Sequence, residues 1–287
     1  MPRTIADSEG KPEQVALSSP ATTAMDPTPS EPTVRGPATS DLTPASISHE
    51  QPDPLTAPAQ AVPTRAEKGT LTLGDCARAF WRQPSPPYLL GAVLIALAAR
   101  LAQGQWSWRD LVMVLGLIAL TPFVEWAIHV YMLHSPPFSL FGRRVEMLTA
   151  REHRAHHEAP GVLDGVLLPV YGVLVFLPLI ALVNWGMSFP IALVLGGPRL
   201  ANATTGVLTS FTILALYEWS HFLIHTPYRP KGRYFKAIWR NHRLHHFKNE
   251  HYWFGVTSTI GDRVIGTFPD QQAIPRSPTA RSLNVDR

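Results

Sequence analysis

The sequence predicts an all-α integral membrane protein, with about four transmembrane helices and a cytoplasmic helical cap. Three observations carry this. Four long apolar stretches lie between residues 88 and 224. Basic residues gather in alternate connecting segments. Eleven of the twelve histidines fall between residues 129 and 251, at the ends of apolar stretches or in the basic segments.

The spans follow from length, since about 20 apolar residues of helix cross a bilayer. The first runs from about Tyr88 to Leu101, the second over 111–133, the third over 166–185 and the fourth over about 204–224. A further apolar piece, "FPIALVLGG" at 189–197, is too short to span alone and is expected to be re-entrant or interfacial. Four such segments within 140 residues argue against buried core helices of a soluble protein.

The rest of the composition fits this frame. Charged residues are 16% of the chain, and the mean hydropathy is +0.02. Residues 1–70 hold nine acidic and five basic side chains and twelve of the 28 prolines, with no apolar period. Such a segment buries too little surface to offset its ordering entropy, so a disordered tail is expected over 1–70 and a membrane-embedded domain over 71–287. The first twenty residues are polar and lack the pattern of a signal peptide. The single Cys76 excludes an intrachain disulfide and any metal site built on paired cysteines.

Basic residues orient the spans. Arg143, Arg144, Arg151 and Arg154 lie between the second and third, and Arg229, Lys231, Arg233, Lys236, Arg240, Arg243 and Lys248 follow the fourth. Between the first and second, Arg109 is balanced by Asp110 and flanked by Trp106 and Trp108. Both termini and the second-to-third connection are therefore expected in the cytoplasm. The net +8 of residues 71–287 needs no nucleic acid and suits anionic lipid.

On this topology the histidines converge. His129 and His134 end the second span, and His221 and His225 end the fourth. His153, His156 and His157 occupy one cytoplasmic segment, and His242, His245 and His246 the other. Offsets of three and four residues put the last three on one helix face. Ten imidazoles exceed the needs of one ion and suit two, each with four or five nitrogen ligands. Imidazole accommodates zinc, iron, copper and nickel, so ligand type alone does not choose the metal. Glu125, Glu152 and Glu218 adjoin these histidines and are expected to accept their second ring N–H. His251 breaks the spacing and reads as an outer-shell or surface residue. Gly255, in "FGVTST", allows a close backbone approach or an ordinary turn. Phe247, Tyr252, Trp253 and Phe254 suit either interfacial anchoring or the lining of a tunnel.

These motifs resemble the fatty acid hydroxylase superfamily, which includes sterol desaturases, and within it the sphingolipid-type fatty acid 2-hydroxylases. The resemblance covers about residues 120–268. It rests on "EWAIHVYMLH", on HxxHHxxP at His153, His156, His157 and Pro160, on Asp164 and Pro169, and on HxxxH at His221 and His225. It continues in "HRLHHFKN", "FGVTS" and "GDRVIGT". It implies a dimetal site of two iron ions under the cap, with zinc able to occupy a purified sample. The implied ligands are His129, His134, His153, His156, His157, His221, His225, His242, His245 and His246. It also implies O2-dependent hydroxylation of a fatty acyl chain, with O2 as co-substrate and no catalytic residue separate from the ligands. Relatives often carry a fused haem domain; this chain has only its tail there, so a separate electron-donor protein is expected. Thr226 and Gly261 stand where many relatives have histidine and tryptophan, which bears on the shape of the substrate tunnel.

An unactivated C–H bond is beyond acid–base chemistry, so a cofactor must carry the step. Arg151, Arg154, Arg240, Arg243 and Lys248 are available for a lipid head, although plain positive-inside charge accounts for most of them. The nearest rival is a lipid or sterol desaturase, or a carotenoid-ring hydroxylase, with the same metal site. Of another class are a membrane metal transporter or sensor, which would spread polar residues through the bilayer, and a zinc-dependent lipid hydrolase, which would need fewer histidines and no oxygen.

Overall fold

A computed structural model describes residues 71–283. The tail expected over 1–70 lies outside the described residues. Helix α1 (Leu73–Arg82) opens on a capping box between Thr72 and Asp75. It is followed by α2 (Pro86–Gln103), which begins with paired prolines and ends at Gly104, whose φ of 59° suits glycine. Helix α3 (Trp108–Ile128) starts at a second capping box, Ser107 with Asp110, and continues without a break into a π-helical turn, His129–Leu133.

A two-stranded antiparallel hairpin follows, β1 (Phe138–Leu140) with β2 (Arg143–Val145). The all-α expectation contains no strands; Phe141 and Gly142, at φ 49° and 73°, form the tight turn that closes this hairpin. Then come α4 (Leu148–Glu158), a short 3-10 turn at Leu163–Gly165, and α5 (Val170–Leu195). Helices α6 (Arg199–His225), α7 (Arg233–Phe247) and α8 (Ile260–Ile265) complete the order.

Four helical segments among the described residues are long and apolar enough to cross a membrane, and they contain α2, α3, α5 and α6. The third span is longer than the sequence suggested. The piece expected to be re-entrant is the last part of α5, which runs through Pro178 and Pro190 to Leu195. In an apolar surrounding every backbone group is best satisfied within the helix, so a helix tolerates an internal proline more readily than an unwound segment. The Ser188 hydroxyl donates to the Trp185 carbonyl at 2.6 Å just before Pro190.

Helix α6 is the central post, packed against α2, α3 and α5. Its buried positions in the first half are mostly small, Ala201, Ala203, Thr205, Gly206 and Thr209, beside Asn202 and Phe211. Small residues let helices approach closely where no hydrophobic force separates them from lipid. At Gly206 a Cβ would sit 2.3 Å from Asn184 Oδ1 of α5. The outer faces of α2, α3 and α5 expose Ile95, Leu115, Leu182 and Val194, as lipid contact requires.

At the end of the bundle remote from the histidines, the wholly buried Arg100 of α2 donates to Thr205 Oγ1 of α6 and to Asp110 of α3, both at 2.7 Å. Arg109 donates to the Leu195 carbonyl at 2.7 Å, which ties the α2–α3 and α5–α6 connections together. At the other end Phe80 of α1 packs edge-on against Trp219 and Phe222 of α6, at 5.1 and 5.5 Å between ring centres, within a core that includes Val166 and Leu167. Helix α1 thereby braces the end of α6 that carries two histidines.

Candidate metal centre

Four elements deliver the ten histidines to one end of the bundle. The end of α3 with its π turn supplies His129 and His134, and the end of α6 supplies His221 and His225. Helices α4 and α7 lie over them and supply the two HxxHH groups.

The structure brings together all ten and sorts them into two sets of five. One set is His129, His134, His153, His157 and His245; the other is His156, His221, His225, His242 and His246. Within each set every histidine offers one ring nitrogen, and these five lie within 4.8 Å of one another. Each HxxHH group is divided. Residues four apart, His153 with His157 and His242 with His246, stay together, and the third member, His156 or His245, joins the opposite set. The single face expected for His242, His245 and His246 is thus two adjacent faces. The sets abut, with the rings of His157 and His246 only 4.0 Å apart.

The ring tautomers decide what this arrangement can do. Four rings donate from Nδ1 to backbone carbonyls: His129 to Phe254 at 2.6 Å, His157 to Ala280 at 2.9 Å, His225 to Pro160 at 2.8 Å and His245 to Tyr252 at 2.9 Å. With the proton on Nδ1, each presents a bare Nε2 lone pair. In the first set His153 Nε2 lies 3.1 Å from His129 Nε2 and 3.2 Å from His157 Nε2, and so could donate to only one of them. In the second, His242 Nε2 lies 3.0 Å from the Nε2 atoms of His221, His225 and His246. Converging lone pairs repel unless a cation sits among them. Nitrogen ligands at about 2.0–2.1 Å from an ion stand about 3.0–3.4 Å from their neighbours, which is the spacing seen. The donor set therefore fits a metal ion in each group.

Electrostatics agree. Burial, reinforced by the neighbouring imidazoles, holds His153, His156, His242, His245 and His246 well below the usual histidine range. Burial takes His157 down to about 4. These rings are neutral at neutral pH, the form that ligates.

The three acids do other work than the sequence suggested. Glu125 accepts from the backbone N–H groups of Val256 and Thr257 and from the Thr257 hydroxyl, and so pins the FGVTS loop to α3. Glu218 accepts from the Leu168 backbone at 2.8 Å and fixes the entry to α5. Glu152 is exposed and pairs with Arg151 at 3.4 Å. The ring N–H groups with partners use carbonyls instead, because the loops that cover the site bring backbone rather than acids to the outer side of the rings. His251 belongs to neither set; it is exposed and lies 3.6 Å from Glu250.

Further residues support the site: several lie in the motifs around Thr226, Phe254, Gly255 and Gly261, whereas the C-terminal segment carried no sequence signal of its own. The buried Asp262 accepts from the backbone N–H of Phe254 and Gly255 at 2.9 and 2.8 Å, from Asn241 at 3.2 Å and from Thr267 at 2.7 Å. It thereby holds Phe254, whose carbonyl takes His129 and whose ring packs on His129, His134 and His245. At Gly255 a Cβ would meet the Ser258 carbonyl at 1.9 Å, so the turn needs glycine. At Gly261 a Cβ would lie 2.3 Å from the Pro122 carbonyl, so α8 rests on α3 where a larger residue would not fit. Thr226 caps α6 by donating to the Leu223 carbonyl at 2.8 Å. The C-terminal segment closes the first set through Ala280 and through Arg281, which donates to the carbonyls of His157 and Glu158.

Of the basic residues considered for a lipid head, Arg154 is buried and paired with Glu146, and Lys248 donates to the Gln271 carbonyl. Arg240 and Arg243 line an open cavity beside α7.

Known proteins resemble the region that holds these histidines. Dihydroceramide fatty acyl 2-hydroxylase FAH2 of Arabidopsis thaliana is 27% identical over 166 residues, 57% of this chain and 62% of that protein. Fatty acid 2-hydroxylase of Mus musculus is 30% identical over 166 residues, 57% of this chain and 41% of that protein. The matched region is thus about half the length of such relatives. The solved structure of Scs7p, in which only the hydroxylase domain is visible, has the same fold, with a TM-score of 0.52 at 22% identity over 69% of each chain. The family model for fatty acid hydroxylase matches residues 114–267, which hold all ten clustered histidines, and the chain belongs to that family.

Proposed function

We propose that this protein hydroxylates a fatty acyl chain, at the 2-position, by O2-dependent chemistry at two histidine-held iron ions. The observation that supports it best is the pair of five-histidine sets with converging bare nitrogens. The plant and mammalian relatives are named as 2-hydroxylases of acyl chains, which favours the 2-position. One ion would be held by His129, His134, His153, His157 and His245, and the other by His156, His221, His225, His242 and His246.

When bound, the ions supply the oxygen-activating redox chemistry that side chains lack. One oxygen atom enters the C–H bond and the other leaves as water. The two electrons come from a separate donor protein and the two protons from solvent. The chain's own share is orientation and exclusion. The carbonyls of Phe254, Ala280, Pro160 and Tyr252 fix which ring nitrogen faces inward. Burial under α4, α7 and the loops keeps water from a reactive centre. The site sits where α3 and α6 end, so a lipid with its head at the interface would bring its chain to it. The basic segments favour a cytoplasmic position for this end. Residues 71–287 are the catalytic unit.

Lipid mass spectrometry of membranes from a host expressing the wild type or His246→Ala, with and without oxygen, tests this reading. An acyl species that gains one oxygen only in the aerobic wild type is expected. Loss of two hydrogens instead would make the protein a desaturase. A lipid change that persists without oxygen would sink both readings.

A further inference from the structure

We propose that the cavity between the end of α6 and the outer face of α7 binds the phosphate of an anionic phospholipid, at a site separate from the histidine sets. The cavity measures about 810 Å³ and is lined by the Thr226–Pro230 segment together with Lys236, Trp239, Arg240 and Arg243.

Helix α7 has two working faces. His242, His245 and His246 are buried in the histidine sets, and Ile238 in a core with Ile224 and Val256. Lys236, Arg240 and Arg243 recur at intervals of four and three residues and form a separate stripe, which lines the cavity. Arg229 joins them from the segment after α6, so four cations surround one concavity whose lining contains no acid. None of the four forms an ion pair among the described residues. Charges spread over a convex surface would satisfy the topology rule equally well and avoid mutual repulsion. Gathered in a concavity, they focus a positive potential that an anion relieves.

One further feature points to a bound ligand. The Arg243 guanidinium lies over the rings of Trp239 and Phe247, at 4.8 and 5.0 Å, which fixes its planar fork before any ligand arrives.

Depth and size favour a lipid over a free anion. Helix α6, long and apolar enough to cross a membrane, ends at His225, and Thr226 is the first residue of the cavity wall. That is the level at which lipid phosphates lie. A volume of about 810 Å³ holds a phosphate together with a polar head.

The test uses the purified full chain in neutral detergent, titrated with dioleoylphosphatidylglycerol, dioleoylphosphatidylcholine or inorganic phosphate. Native mass spectrometry reads the ligand retained per chain. The wild type should retain one phosphatidylglycerol in preference to phosphatidylcholine. Each cavity charge near the surface contributes about fivefold to affinity. Lys236→Gln with Arg240→Gln should therefore weaken retention by about thirtyfold, and Arg143→Gln with Arg144→Gln, outside the cavity, should leave it unchanged. All variants are compared at equal melting temperature and metal content. If the cavity double variant fails to fold, Lys236→Gln and Arg240→Gln are measured singly, each with about a fivefold loss expected. Equal retention of both lipids would overturn the proposal, as would an equal loss in the control pair. Inorganic phosphate displacing phosphatidylglycerol at equal concentration would make this a free-anion site and overturn the lipid assignment. The readout is binding, so it is independent of catalysis.

Discussion

The backbone N–H of His134 donates to the carbonyl of His129 at 3.0 Å, five residues back, and closes the π turn at the end of α3. On an α-helix, with about 100° per residue, two positions five apart point about 140° away from each other. The wider π turn brings both rings into the same five-histidine set, and the His134–His129 closure is what permits it.

Inserting one alanine after Tyr131, which is exposed on that turn, would set the two histidines six residues apart, about 120° from each other on an α-helix, and swing His134 out of its set. The membrane-inserted variant should hold about one metal ion per chain instead of two and form no hydroxylated lipid. Metal analysis of the purified protein checks this. An unchanged metal content would show that the turn does not position His134.

His246→Ala removes one nitrogen from the second set, whose rings crowd to 3.0 Å. Loss of an outer partner of a ligand already weakens metal binding by about 10–100-fold, and loss of a ligand should exceed that. Titration with a chelator should strip the second site of the variant first. Product formation should vanish in the same preparation.

The C-terminal segment gives a separate test, because it lies beyond the region matched by the family model. Removing residues 277–287 takes away the Ala280 carbonyl that orients His157 and the Arg281 contacts to α4. Metal affinity of the first set should fall by about 10–100-fold, with the second set little affected. A truncated protein with full metal content and activity would rule out this closing role.

Glu125→Ala leaves two backbone N–H groups and a hydroxyl near the site without their acceptor. Each buried donor left unmade costs about 1–3 kcal/mol, so the melting temperature should drop clearly. Glu125→Gln retains one acceptor oxygen and should lose less. Equal melting temperatures for Glu125→Ala and the wild type would show that the loop is held by other contacts.

Gly261→Trp would place a large side chain against the Pro122 carbonyl, which a Cβ alone would approach to 2.3 Å. Thermal unfolding should show a loss at or above the usual overpacking range of about 1–3 kcal/mol. Removing residues 1–70, by contrast, leaves the Thr72–Asp75 capping box intact and should leave metal content and hydroxylation unchanged. Loss of activity in an inserted truncated chain would place a working part in the tail.

The sequence by itself determined the four long apolar helices and the residue type that gathers at their ends. Hydropathy and length mark α2, α3, α5 and α6, because lipid admits only segments that satisfy their own backbone. The histidines at the ends of the second and fourth spans are legible for the same reason: alternating spans bring those ends to one face. What spacing could not give was the partition into two sets. An HxxHH group offers the same three imidazoles to either side, and only the crossing of α4 and α7 over the ends of α3 and α6 assigns His156 and His245 to opposite sets. The sequence also suggested acids as the partners of the rings. The structure supplies carbonyls from Phe254, Tyr252, Pro160 and Ala280, which no side-chain pattern reveals because every residue has one. Local chemistry is written in residue types, but the side of a ring that meets a metal and the side that meets a carbonyl are set by long-range packing. That packing alone decided the geometry of the centre.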